Sequence, residues 1–84
     1  MDRRQRQRVA DVICEEWFNS DPPPRYLEST DLLRRLEGEG EHVSNEELLE
    51  FLDALAPAYI TQQQFVGNTR IEGVDPALCD EPLN

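Results

Sequence analysis

The chain contains no lysine, and its 84 residues include one histidine, one tryptophan, one methionine and two cysteines. Each scarcity excludes something. No apolar run approaches the roughly 20 residues of a membrane helix. The charged start, Met1-Asp2-Arg3-Arg4-Gln5-Arg6-Gln7-Arg8, is followed by no apolar leader segment. No membrane contact is therefore expected, and the chain reads as cytoplasmic. One histidine and two distant cysteines supply no zinc ligand set. Gly38-Glu39-Gly40 is flanked by carboxylates that would repel phosphate, so it is no phosphate loop. His42 precedes a helix beside Val43 and reads as a capping or packing residue. A Cys–His dyad with Cys14 or Cys79 has nothing to support it. No cofactor, no metal and no catalysis are expected.

The cysteines and the charge set the chemical class. In a cytoplasmic chain two cysteines are expected as free thiols. Cys14 lies beside an apolar helix stripe and reads as a small core residue, and Cys79 as a more exposed one. All eight basic residues are arginine against 18 acids, a net charge of −10. An all-arginine bias fits a GC-rich bacterial or phage coding sequence. Residues 1–8 hold four Arg and one Asp, whereas the rest hold four Arg and 17 acids. That balance disfavours nonspecific nucleic-acid binding and favours a basic partner.

What is present is one small domain, residues 1–84, with loose ends expected at 1–5 and 81–84. Residues 2–19 predict a first helix, with Val9, Ile13 and Trp17 four apart and Ala10, Cys14 and Phe18 beside them. Four arginines at a helix N-terminus oppose its dipole, hence the expected fray. Asp21-Pro22-Pro23-Pro24 ends the helix in a stiff loop. Thr30 or Ser29 is expected to cap a second helix over residues 31–37, with Leu32, Leu33 and Leu36 on one face.

The third helix is the most legible. Ser44-Asn45-Glu46-Glu47 is a capping box, and Val43 with Leu48 is placed as a hydrophobic staple. Leu48, Leu49, Leu52, Leu55 and Ala56 share one side with Phe51 at its edge. Glu46, Glu47, Glu50 and Asp53 fall opposite, and Pro57 stops the helix. A hairpin is expected next, with Gly67-Asn68 as a type II′ turn. In that register Val66 opposes Thr69, and Ile60, Val66 and Ile71 share a face. Asp75-Pro76 then predicts one helical turn over residues 76–80.

Helix, proline loop, short helix, capped helix and hairpin together resemble the winged-helix (winged helix-turn-helix) superfamily over residues 6–75. Leu32-Leu33-Arg34-Arg35-Leu36, Leu48-Leu49-Glu50-Phe51-Leu52 and Tyr59-Ile60 carry the resemblance. It implies an α+β fold of three helices followed by a β-hairpin. It also implies that the third helix occupies the place of the major-groove reader. Affinity for DNA rests largely on Lys and Arg against phosphates. Residues 37–56 hold seven acids and no Arg or Lys.

The sequence therefore favours a small acidic, non-catalytic protein-interaction or regulatory module, with Glu46, Glu47, Glu50 and Asp53 meeting a basic protein surface. The bland alternative is that these four are only a solvated face. A second reading is a nucleic-acid-binding regulator that uses Arg3, Arg4, Arg6 and Arg8 as a basic arm. A third is a phage-type acidic inhibitor that mimics nucleic acid. Phe18 and Phe65 fall outside the best apolar stripes and could form the interface of a homodimer.

Overall fold

The computed structural model describes residues 1–80. The elements are α1 (Arg3–Phe18), β1 (Leu27–Glu28), α2 (Ser29–Gly38), α3 (Asn45–Leu55), β2 (Ile60–Phe65), β3 (Asn68–Val74) and α4 (Ala77–Asp80). The fold is α+β, with an antiparallel sheet in the order β1-β3-β2. Residues 81–84, expected to be loose, lie outside the described residues.

The N-terminus differs from its expected fray. Asp2 caps α1: its carboxylate accepts from the Gln5 backbone N–H at 2.7 Å, and the Gln5 side-chain oxygen accepts from the Asp2 N–H at 3.2 Å. Two otherwise unpaired donors are satisfied at once, which offsets the unfavourable arginines. Further along, α1 buries Val9, Ala10, Val12 and Ile13. Val12 lies off the expected four-residue stripe. It is buried because α1 packs on two neighbours, α2 and α4, and so hides a wider arc.

Ser29 does not cap α2. The N-cap is Glu28, with no side-chain hydrogen bond to the helix. Ser29 is instead fully buried in the first turn. Its hydroxyl donates to Asn68 Oδ1 at 2.9 Å and accepts from the Thr69 N–H at 2.8 Å. Asn68 Oδ1 also accepts from the Thr30 N–H at 3.3 Å, and Asn68 Nδ2 donates to Glu28 at 2.5 Å. These bonds tie the start of α2 to β3. They also fix β1, whose Leu27 pairs with Ile71 and Glu28 with Arg70. A two-residue strand has no periodicity to read, and the sequence gives no sign of it.

The hairpin forms one residue away from its expected register. Phe65 pairs with Asn68 and Gln64 with Thr69, so the two turn residues are Val66 and Gly67. Gly67 takes φ 71°, and among the described residues only Gly40 also has a positive φ. Glycine at the second central position is what a type II turn requires, not the type II′ turn expected. Asn68 is withheld from the turn because its side chain is committed to Ser29, Thr30 and Glu28. A bulge lies between Thr61 and Gln62, opposite Glu72. Ile60, Ile71 and Thr69 consequently face the core, and Val66 is fully exposed (105 %) rather than facing inward with Ile60.

The core joins Val9 and Ile13 of α1, Leu32 and Leu36 of α2, Leu48, Leu52 and Leu55 of α3, Ile60 and Ile71 of the sheet, and Leu78 of α4. Leu78 is 1 % exposed, and this anchor brings α4 back to α1. Cys14 and Cys79 are consequently joined in a disulfide, with Cα atoms 6.0 Å apart across 65 residues of sequence. Neither thiol is free, which corrects the expectation of two thiols. The cause is the docking of Leu78, a tertiary event that cysteine spacing does not reveal. Disulfides persist mainly in oxidising surroundings, so the thiol chemistry lends the cytoplasmic reading no support. No helix among the described residues is long and apolar enough to cross a membrane.

Candidate interaction surface

Helix α3 starts as the capping box dictates. Ser44 Oγ accepts from the Glu47 N–H at 3.1 Å, and Glu47 Oε1 accepts from the Ser44 N–H at 3.2 Å. Leu48, Phe51, Leu52 and Leu55 are buried, so the opposite face is turned outward. Both ends are pinned to the hairpin. Asn45 Nδ2 donates to the Gly67 carbonyl at 3.1 Å, and Asp53 Oδ1 accepts from Gln62 at 3.2 Å and Gln64 at 3.0 Å. The helix thus runs antiparallel beside β2 on a rigid mount.

The four acids of that face divide into two kinds. Glu47 is half-buried, and beyond its capping role it takes the Met1 amino group at 2.7 Å. That ammonium, then the Ser44 N–H and hydroxyl, hold its carboxyl down to about 2. Asp53 is exposed but committed to two glutamines. Glu46 and Glu50 are exposed and have no ion pair or hydrogen bond among the described residues. One turn apart, they stand as like charges on one row with Asp53.

The arginines of α1 are used differently. Arg4 makes a two-pronged bond to Glu41, at 3.0 and 2.8 Å. Arg8 does the same to Glu39, at 2.9 Å on both prongs, and reaches Glu15 at 3.1 Å. Arg35 of α2 closes the circuit through Glu15 at 2.5 Å, Glu16 at 2.6 Å and Glu39 at 3.2 Å. Arg8, Glu15, Arg35 and Glu39 thus form a closed ring that joins α1, α2 and the end of α2. Arg6 donates to the Met1 carbonyl at 3.0 Å. Arg3 is exposed. Two of the four arginines of the cluster, Arg4 and Arg8, are therefore turned to the chain's own acids. Sequence reading could not see this, because Glu39 and Glu41 lie more than 30 residues away. The local signal was only that both glutamates occupy a turn.

This ring has a pH signature. Arg8 first, then Arg35, hold the Glu39 carboxyl down to about 2, well below its ordinary 4.5. Glu15 and Glu41 are lowered in the same way, chiefly by Arg35 and Arg4. A carboxylate lowered on folding contributes stability above its unfolded pKa and loses it as pH falls through the folded one. The melting temperature is therefore expected to stay level above about pH 5 and to fall steadily as pH drops from about 4.5 toward 2. A variant with Arg8→Met and Arg35→Met should melt lower at neutral pH but lose less across that window. Parallel curves for the two proteins would contradict the assignment.

The two phenylalanines read as an apolar interface lie on different surfaces. Phe18, 46 % exposed, lines a cleft of about 340 Å³ with Cys14, Cys79 and Pro76. Phe65, also 46 % exposed, is at the hairpin, with its ring 5.1 Å from the Arg70 guanidinium. Arg70 also stacks over Tyr26 at 4.2 Å and pairs with Glu28 at 3.3 Å. Tyr26, Arg70 and Phe65 make a mixed outer face of the sheet that sequence reading missed, because Tyr26 lies in the loop before β1. His42 is exposed at the start of the turn into α3. Among the described residues no group of three or more His, Cys, Asp or Glu is placed to hold a metal ion.

No protein-family model matches the chain, no curated protein matches it, and no solved structure matches it.

Proposed function

We propose that this is a non-catalytic protein-interaction module of winged-helix type, and that the exposed row of α3 meets a basic protein surface. The observation that carries this is uneven neutralisation. Arg4, Arg8, Arg34, Arg35 and Arg70 each pair with an acid of α1, β1, α2 or the turn after α2. None pairs with an acid of α3. Repulsion between Glu46 and Glu50 is therefore unrelieved, and a cation brought by another molecule relieves it. The element order supports the winged-helix part: α1, α2 and α3 precede the β2–β3 hairpin, and on this reading α3 would correspond to the groove-reading helix. Fold alone assigns no activity. The sign of the surface is what turns the reading from DNA to protein.

The structure refines the test. Glu47 and Asp53 serve the helix cap and the hairpin, so changing them would disturb the mount. Glu46→Lys with Glu50→Lys reverses charge where no contact is lost. In capture from cells that make the protein, the bound partner is expected to disappear with this double variant while the circular dichroism spectrum is unchanged. A partner retained at full strength would remove the acidic row from the account.

A further inference from the structure

Strand β2 is an edge. The sheet order is β1-β3-β2, and the side of β2 away from β3 has no backbone hydrogen bond among the described residues. In an antiparallel pair every second residue directs its N–H and C=O outward, so this edge is a template for another strand. The usual guards are sparse. Ile60-Thr61-Gln62-Gln63-Gln64-Phe65 holds no proline and no charge. The one device present, the bulge at Thr61/Gln62, leaves residues 62–65 in regular pairing with residues 68–71. The opposite edge, β1, is only two residues long.

The surroundings of the edge select what would pair there. Helix α2 packs against β1 and β3, and α3 packs against β3 and reaches β2 through Asp53, which accepts from Gln62 and Gln64. Gln62 and Gln64 share the face of β2 that looks toward α3, because both reach Asp53. Alternate residues of an added strand would lie beside them on that same face, about 5 Å further out. There they come under the row Glu46, Glu50 and Asp53, on a helix whose start is bonded to the hairpin turn at Gly67 and whose Asp53 is bonded to Gln62 and Gln64. Long cationic side chains at alternate positions match that row. A second copy of this chain does not, since its own acidic row would arrive at the seam. We infer that the open edge of β2 takes an extended segment of the partner as a fourth strand, with Lys or Arg at alternate positions set against Glu50 and its neighbours on α3. This rests on the basic-partner reading and adds the mode of binding to it.

The test uses the full chain, isotope-labelled, and two peptides of equal composition and charge. Acetyl-TKVKVKT-amide carries lysine at alternate positions, and acetyl-TVKKKVT-amide carries the same lysines in a block. At about 50 mM salt the alternating peptide is expected to bind about fivefold or more tightly than the block, to slow amide exchange within residues 61–65, and to weaken about tenfold with Glu50→Lys. Equal binding of both peptides, with no slowing in β2, would overturn the added strand and leave the acidic-row reading standing. Failure of both peptides to bind would overturn the added strand too. The acidic-row reading would then be judged by its own test with Glu46→Lys and Glu50→Lys.

Discussion

Removing the Cys14–Cys79 bond is expected to lower the unfolding free energy by about 4 kcal/mol. The bond closes a loop spanning 65 residues of sequence. In the chain-entropy account a loop of that length restricts the unfolded state by about 4 kcal/mol at room temperature. An 84-residue domain has only about 4–13 kcal/mol in total. The loss is therefore about a third or more of the margin, and the reduced protein is expected to melt well below the oxidised one. The folded side of the balance gives the same sign. Helix α4 has four residues, too short to hold itself, and it stays on α1 through Leu78 and this bond. Urea unfolding of the oxidised protein, the reduced protein and the Cys14→Ser/Cys79→Ser variant measures the effect. Equal midpoints for all three would show that the bond contributes nothing.

The second large effect separates the two faces of α3. Leu52 is fully buried against the core, and Leu52→Ala is expected to cost about 2–5 kcal/mol through lost burial and the cavity left behind. Glu50, two residues before it, is exposed and bonds to nothing among the described residues. Glu50→Lys is expected to change stability by no more than about 0.5 kcal/mol, and relief of its repulsion with Glu46 would make the change favourable. One helix thus carries a buried face and an exposed acidic face, the proposed recognition face, that mutation can address separately. Paired denaturant midpoints test this. A Glu50→Lys protein as unstable as Leu52→Ala would show that the acidic row is part of the fold.

How much of this was legible follows from the range of each signal. The α3 cap was readable because Ser44 and Glu47 are three residues apart and satisfy each other. The outward placement of Glu46 and Glu50 was readable because helical period fixes it. The hairpin was readable in existence and not in register. Gly67-Asn68 satisfies a local turn rule, but Asn68 is claimed by Ser29, Thr30 and Glu28 nearly 40 residues away, and the turn moves to Val66-Gly67. Contacts between segments far apart in sequence also make the ring of Arg8, Glu15, Arg35 and Glu39, the pairing of β1, and the disulfide. The Asp2–Gln5 cap was local and readable. Its signal competes with four arginines that oppose the helix dipole at the same end. For the candidate surface, the sequence supplied the four acids, and the structure divided them into Glu47 and Asp53, which hold the mount, and Glu46 and Glu50, which stand free.

The proposed function requires the exposed row of α3 to bind cations rather than a DNA groove. Amide chemical shifts of the labelled protein, followed during titration at about 50 mM salt, test it most directly. A lysine-rich polypeptide is expected to move the signals of Glu46 and Glu50, with the movement fading as salt is raised, and a duplex DNA of mixed sequence is expected to leave α3 unmoved. Shifts along α3 with the duplex, and none with the polypeptide, would contradict the account.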